Sequence, residues 1–554
     1  MTIPQSFIYF RRKFEHMHKS FFFVLAFLCL GSYSHGQNDS LSDIEFISVK
    51  QYQPILRAAK KIEIKADIEQ NKAAKPDLAY SLPSFLYKVE PNYYPARAIG
   101  IKSGTYEPLY DNYFRIGAGN YLTPLVEARL HNTQNEKYSF GGYAKHLSAN
   151  AGKPENADFS DNYIGINGNR YLKKGKLSGE LDYERHVVHF YGYDQDSFDF
   201  GKDSINQIFN DFNGRIGFST DRRKFQFNSN FDFYTFSNLD GRENDFMVTL
   251  NPVLKFPKKQ RIDLGFAIDY TTLDLNGSST LNRSFIRFNP VYYFHVKKIN
   301  LKVGANVVYT PEEGKPKVYP DLYADLFLVP EKLKAFASFS GDLNKTNLRD
   351  LSYTNPFLNN SFEVRNTSTN ADVLAGLKGL LGNKFDYLLQ LRYQVQNDLP
   401  LYVTDTSVLN TFGLVYDRIN TLGFTVGAGL RVNEAFFMNV TGTFYNYDPL
   451  DEIEAWQLPK FDARINLRYT LAKKLMIRLQ MYALGERIQF NPDPNLDVPP
   501  LNPFIDLNIH ADYRYKENIS FFVQVNNLTN ARYQKWFNYP VLGLNALAGV
   551  TFSL

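Results

Sequence analysis

Phe461-Asp-Ala-Arg-Ile-Asn-Leu-Arg-Tyr-Thr-Leu471, followed after Ala472-Lys-Lys474 by Leu475-Met-Ile-Arg-Leu-Gln-Met-Tyr-Ala483, decides the fold of this chain. Phe461, Ala463, Ile465, Leu467, Tyr469 and Leu471 fall on one face, and Asp462, Arg464, Asn466, Arg468 and Thr470 on the other. A period of two is the signature of a strand, not a helix. Both runs exceed the roughly five or six residues usual in soluble sheets and match the roughly 9 to 11 needed to cross a bilayer at a tilt. Their polar face repeats Asp, Arg, Gln and Asn, which a dry sandwich core rejects and a wet lumen accepts.

The same reading extends from about residue 112 to Leu554. Phe385, Tyr387, Leu389, Leu391, Tyr393 and Val395 alternate with Asp386, Leu388, Gln390, Arg392, Gln394 and Gln396. The last strand sets Leu544, Ala546, Ala548, Val550, Phe552 and Leu554 against Asn545, Leu547, Gly549, Thr551 and Ser553. Short connectors fall near Asn135, Lys174, Arg222, Lys258, Lys298, Glu331, Asn383, Glu434, Lys473 and Glu517. Between them lie longer loops, such as Lys153 to Phe159, Tyr193 to Ile205, Asn344 to Asn370, Tyr447 to Gln457 and Gln489 to Pro503. With both ends of the barrel on the rim of short turns, these connectors imply an all-β, transmembrane antiparallel β-barrel of about 22 strands. Short turns then face the periplasm and long loops face outward, which places the chain in the outer membrane with lipid as its first partner.

Composition agrees. The chain has 554 residues, 38 Tyr and 47 Phe but only one Cys, and an aromatic share of 16% that suits strands and membrane interfaces. A formal net charge of +5 gives no electrostatic case for nucleic acid. Residues 1–36 read as a signal peptide: Arg11, Arg12, Lys13 and Lys19 precede an apolar run from Phe21 to Leu30, and small or polar residues follow. The single cysteine, Cys29, lies inside that run after Leu28, so no lipidation is expected. Residues 37–111 are charged, weakly periodic and broken by Pro76, Pro83, Pro91 and Pro95, and read as a short N-terminal periplasmic or lumen-entering arm. Within it, Ile47, Val49, Tyr52 and Pro54 form an extended stretch that reads either as an unpaired linker or as a segment able to add a strand to a periplasmic or outer-membrane protein partner.

No catalytic, cofactor or metal motif is found, and no enzyme is expected. His186 and His189 are three apart on a strand, hence on opposite faces. Asp194, Asp196, Asp199 and Asp203, like Asp448, Asp451, Glu452 and Glu454, read as solvated acidic loops. Tyr191, Tyr193, Phe198, Tyr445, Tyr447, Trp456, Trp536 and Tyr539 read mostly as girdle aromatics at the membrane interfaces.

The stretch Val525-Asn-Asn-Leu-Thr-Asn-Ala-Arg-Tyr533, with Tyr539-Pro540 and Gly543 before the closing strand, resembles the end of TonB-dependent outer-membrane receptors, in the branch found in Bacteroidota. Asn527, Leu528, Asn530, Tyr533, Tyr539, Pro540 and Gly543 carry the likeness. It implies a 22-stranded barrel and transport of a nutrient across the outer membrane. Leu544 stands where that family often has Arg, and Leu554 where an aromatic is usual. The family also fills its barrel with a plug of well over a hundred residues; residues 37–111 are too few for one, so a plug-less barrel is expected and TonB-driven uptake does not follow. Passage of a nutrient through a lumen blocked by long loops, by the arm or by a separate subunit is the first functional expectation. A non-transporting scaffold subunit of an outer-membrane complex is the alternative.

Overall fold

A computed structural model describes residues 112–132, 135–277, 280–405, 411–490 and 499–554. The signal peptide and the arm, with Ile47, Val49, Tyr52 and Pro54, lie outside the described residues. Strands are numbered in chain order from β1 (Asn112–Gly119) to β24 (Asn545–Ser553). Twenty-two of them form one antiparallel sheet in which each strand pairs with its sequence neighbour; β22 (Gln534–Trp536) and β23 (Tyr539–Pro540) make a small separate hairpin inside the last loop. The sheet closes on itself. Ile116 of β1 faces Val126 on one side and Val550 of β24 on the other. Asn112 and Leu554 exchange both backbone hydrogen bonds, at 2.9 and 2.8 Å, so the seam is sealed to its end. Closure matters because an unpaired backbone group in hydrocarbon costs several kcal/mol.

Strand register turns the alternation into two continuous surfaces. Leu391 lies opposite Phe424, Phe424 opposite Phe444, and Phe444 opposite Phe461, the last two rings 4.6 Å apart. This outer row is bare: Leu391 is 51% and Phe444 57% exposed, with no second layer over them among the described residues. A soluble protein would cover such a band; here acyl chains do. The inner row is polar and paired within itself. Tyr143 donates to Asp182 at 2.5 Å, Lys302 meets Asp321 at 2.6 Å, and Arg392 forks onto Asp372 at 2.8 and 2.6 Å. The chain is therefore an outer-membrane β-barrel.

The connectors sort as the sequence implies. All ten expected short turns join even-numbered strands to the next and share one rim with the ends of β1 and β24. The opposite rim carries the long loops. β15 (Phe385–Thr404) and β16 (Phe412–Arg431) run to 20 residues each, beyond what a membrane needs, and stand as a tall wall on the loop side.

Candidate functional site

Three long loops are rooted far apart on the ring: residues 190–205 after β5 (Gly175–His189), 345–366 after β13 (Leu333–Asn344), and 527–544 after β21 (Ile519–Asn526). Their roots are separated by eight, eight and six strands of a 22-strand ring. Elements that start from three sides of a ring and touch one another meet over its interior. They do touch. Tyr539 stacks on Phe357 with ring centres 3.5 Å apart, and Tyr191 stands edge-on to both, at 4.9 and 5.8 Å. Trp536 packs edge-on against Tyr402 and Phe412, at 5.1 and 5.4 Å. Ile205, Leu348, Leu358, Phe412 and Tyr539 are each at most 1% exposed. The loop rim thus carries a lid with its own apolar core, spanning the lumen mouth.

These aromatics are not girdle residues as the sequence suggested. Tyr191, Tyr193, Trp536 and Tyr539 belong to the lid core, and Trp456 packs in a separate cluster with Leu401 and Ile419. Tyr445 and Tyr447 lie stacked at 5.7 Å on the inner face. Phe198 alone of the eight is strongly exposed. The reason is burial: an aromatic with aromatic neighbours from two other loops gains more by leaving water than by resting at a headgroup.

The loop at 345–366 is a strap. After its root it forms α1 (Leu348–Thr354), capped by Asn347, whose side chain accepts the Asp350 N–H at 2.6 Å, and ended before Asn355-Pro356. One face of α1, Leu348 and Leu351, enters the lid core. Its cations cross the mouth to a wall of carboxylates on β6 (Asn206–Asp221), β8 (Gly241–Lys255) and β9 (Arg261–Leu275). Lys345 sits between Asp245 and Asp269, the latter at 2.7 Å. Arg349 binds Asp211 at 2.7 Å, and the N–H groups of Leu348 and Arg349 point at Glu243. Tyr353 adds a hydrogen bond to Asp211 at 3.0 Å; burial, and then the negative field of Asp211, push its phenol well above the usual range. Asn360 and Asn238 exchange side-chain amide bonds at 2.8 and 3.0 Å, and Arg283 holds the Thr346 carbonyl at 2.5 Å. Below the strap the wall continues as a cavity of about 440 Å³ lined by Tyr143, Glu180, Asp182, Arg215, Asp232 and Tyr234.

The C-terminal motif residues come together in the third loop. Asn527, at φ 49°, donates to the Ala531 and Leu542 carbonyls at 2.7 and 2.9 Å and accepts from Ala531 N–H and the Thr529 hydroxyl. Asn530, at φ 51°, accepts the Leu544 N–H at 2.9 Å; a Cβ on Gly543 would come within 2.5 Å of that amide oxygen. Leu528 is half-exposed and donates its N–H to Leu507. Tyr533 stacks on Phe504 at 3.7 Å and donates to Asp506. The Pro540 carbonyl accepts from the Tyr191 hydroxyl at 3.1 Å, which ties this loop to the first. Arg487, missed in the sequence, grips the Gln534 and Lys535 carbonyls; burial lowers its pKa to about 10. In chemical terms the motif shapes and seats one third of the lid.

Asn527→Ala is expected to loosen this loop by about 2–4 kcal/mol, since it removes several hydrogen bonds worth about 1 kcal/mol each, and with them the local side-chain bonding that lets asparagine, but not alanine, settle in the left-handed region. Protease nicking between residues 527 and 544 on intact cells, faster in the variant at equal barrel content, is the measurement.

The remaining sequence candidates disperse. His186 and His189 do face opposite sides: His186 pairs with Asp161, and His189 reaches the Asp158 carbonyl at 3.1 Å. Asp194 makes a local turn with Ser197 and Asp196 in full solvent, bonds that hold its carboxyl below the ordinary value. The second acidic loop is organised by Asp417, which collects the N–H groups of Leu450, Asp451 and Glu452 at 3.0 to 3.2 Å. Nothing in the local sequence marks Asp417, Asp211 or Glu243 as special, because their partners come from distant loops. The strap helix did leave a signal, in Asn347 ahead of Leu348 and Leu351 at helical spacing.

No protein-family model matches the chain, and a search of curated proteins returns no match. Solved structures do match in fold. A point mutant of the ferric enterobactin receptor of Pseudomonas aeruginosa, in complex with enterobactin, superposes with a TM-score of 0.62 at 10% identity, covering 81% of this chain and 82% of that one. The ferric-catecholate import receptor of E. coli K12 gives 0.63 at 9% identity, covering 80% and 82%. The pyoverdine outer-membrane receptor of P. aeruginosa, bound to pyoverdine, gives 0.61 at 11%, covering 81% and 79%. At such identity the likeness is one of fold.

Proposed function

We propose that this barrel passes a nutrient across the outer membrane. The observation that carries the reading is a charged, water-facing lumen whose outer mouth is spanned by a dedicated lid, since a purely structural barrel needs neither. Likeness in fold to receptors named for ferric enterobactin, ferric catecholates and pyoverdine supports uptake as the general class, and iron chelates are the first solutes to try. Residues 37–111 serve in this reading as an arm toward protein partners on the periplasmic side, with Ile47, Val49, Tyr52 and Pro54 as its contact stretch.

Deleting the gene is expected to lower growth under limitation of the cognate nutrient and to lower accumulation of the labelled solute, with both restored by the plasmid-borne chain. A deletion strain that grows and accumulates as the parent does across iron chelates, oligosaccharides and peptides, while the protein co-purifies with fixed partners in every medium, would favour a scaffold instead.

A further inference from the structure

The end of the lumen opposite the lid carries charge of the other sign. A cavity of about 490 Å³ lies there against β1, β2 (Thr123–His131), β3 (Tyr138–Ala149), β21 and β24, with Asn112 and Ser553 at its rim. Its lining sets Arg115, Arg129, His131 and Lys145 against one carboxylate, Glu127. Strand register puts Glu127 opposite both Arg115 and Lys145, while Ile116, Val126 and Leu130 between them are exposed on the outer face, so this group belongs to the lumen wall.

Arg115 is the unusual member. It is 9% exposed, and its guanidinium lies 3.9 Å over the Phe522 ring, on an apolar floor that Leu125 and Leu547 complete. Its Nη2 donates to Gln524 at 3.3 Å, and its Nε has no hydrogen-bond partner. Among the described residues it forms no ion pair, although two carboxylates stand near. Glu127 is taken by Arg129, at 2.8 and 2.9 Å. Asp512, opposite Phe522 in the register, is held by Arg478 at 3.3 Å and by His510. A buried cation that lacks a counter-charge is costly, and an anion arriving from outside relieves that cost. With Glu127 and Arg129 cancelling each other, Arg115 and Lys145 remain as positive charge facing one cavity.

We propose that this cavity is an anion site that takes the carboxylate or phosphate group of a small solute. Arg115 supplies the fork, whose planar donors match either headgroup, and its stacking on Phe522 fixes the plane. Lys145 adds the second charge, and Arg129 and His131 stand nearer the rim. A cavity of this size suits a small molecule. The site rests on the passage reading only for the route by which its ligand arrives.

The test is isothermal titration calorimetry of the folded full chain in a non-ionic detergent, with inorganic phosphate and citrate as probes. Wild-type protein is expected to bind one or both, more weakly as sodium chloride is raised, because added ions screen the site. Arg115→Gln is expected to weaken binding by about tenfold or more, and Arg115→Lys by less, because lysine keeps the charge and loses the fork. Glu127→Gln is expected to tighten binding about threefold or more, since it removes the carboxylate nearest the ligand and releases Arg129 to it. A gain in affinity does not arise from a damaged barrel, so this variant keeps the test decisive even where heat-modifiable migration on gels shows that Arg115→Gln has failed to fold. A wild-type chain that binds neither probe, a folded Arg115→Gln protein that binds as wild type does, or a Glu127→Gln protein that binds no better than wild type would each overturn the proposal. The two ideas separate in their failures. Absence of binding sinks the anion site and leaves uptake standing, whereas a deletion strain with no growth defect sinks uptake and leaves the calorimetry with its meaning.

Discussion

Val426→Arg is expected to destabilise the barrel in lipid by about 2–4 kcal/mol, the cost of a cation near the bilayer midplane. Val426 lies in β16, opposite Leu389 on one side and Gly442 on the other, and is 40% exposed on the outer face. The adjacent Thr425 points inward, where its hydroxyl meets that of Thr443 at 3.1 Å. Thr425→Arg is therefore the matched control, with an expected effect under about 1 kcal/mol, because the lumen supplies water and acidic neighbours. Urea titration of the folded barrel in lipid vesicles measures both. Equal penalties at the two positions would contradict a lipid-facing outer row, and an alternation in cost between neighbouring residues would establish it.

Tyr539→Ala is expected to undock the lid by about 3–5 kcal/mol, the range for removing a fully buried aromatic. The ring touches both other loops, through Phe357 and Tyr191, and Gly192 leaves it room: a Cβ at that glycine would lie within 2.6 Å of the ring. The loss should fall on the lid and spare the wall, since no barrel strand depends on Tyr539 for its pairing. Faster surface proteolysis of all three loops, with unchanged heat-modifiable migration of the barrel, is the expected outcome. Tyr539→Phe keeps the stack and loses only the hydrogen bond between the hydroxyl and the Gly192 backbone, so it should cost about 1 kcal/mol, well short of the alanine variant.

The wall of this molecule was legible in its sequence and the lid was not, for one physical reason. Strand alternation and turn position are local: Phe461 to Leu471 shows its two faces without reference to anything else, and each of the ten short connectors announces itself within a few residues. The lid depends on coincidence in space among Tyr191, Phe357 and Tyr539, which are widely separated in the chain and share no period. Each alone looks like an interfacial aromatic. The same holds for charge. Lys345 and Arg349 sit in a polar loop where cations are ordinary, and only the fold brings Asp211, Asp245 and Asp269 to meet them. The C-terminal stretch is the exception, because Asn527, Asn530 and Gly543 meet geometric demands of a single loop and so stand close enough together to be noticed.

The seam between β1 and β24 bears on biogenesis. With its final partner missing, the sheet would present two raw margins to hydrocarbon, each a ladder of amides and carbonyls that lipid cannot satisfy. A nascent chain emerging from one terminus to the other has no stable halfway house in the bilayer. Assembly must shelter both margins until the last ribbon arrives and then join them in one concerted event, so a truncation that removes only β24 should yield no inserted product rather than a slightly smaller pore.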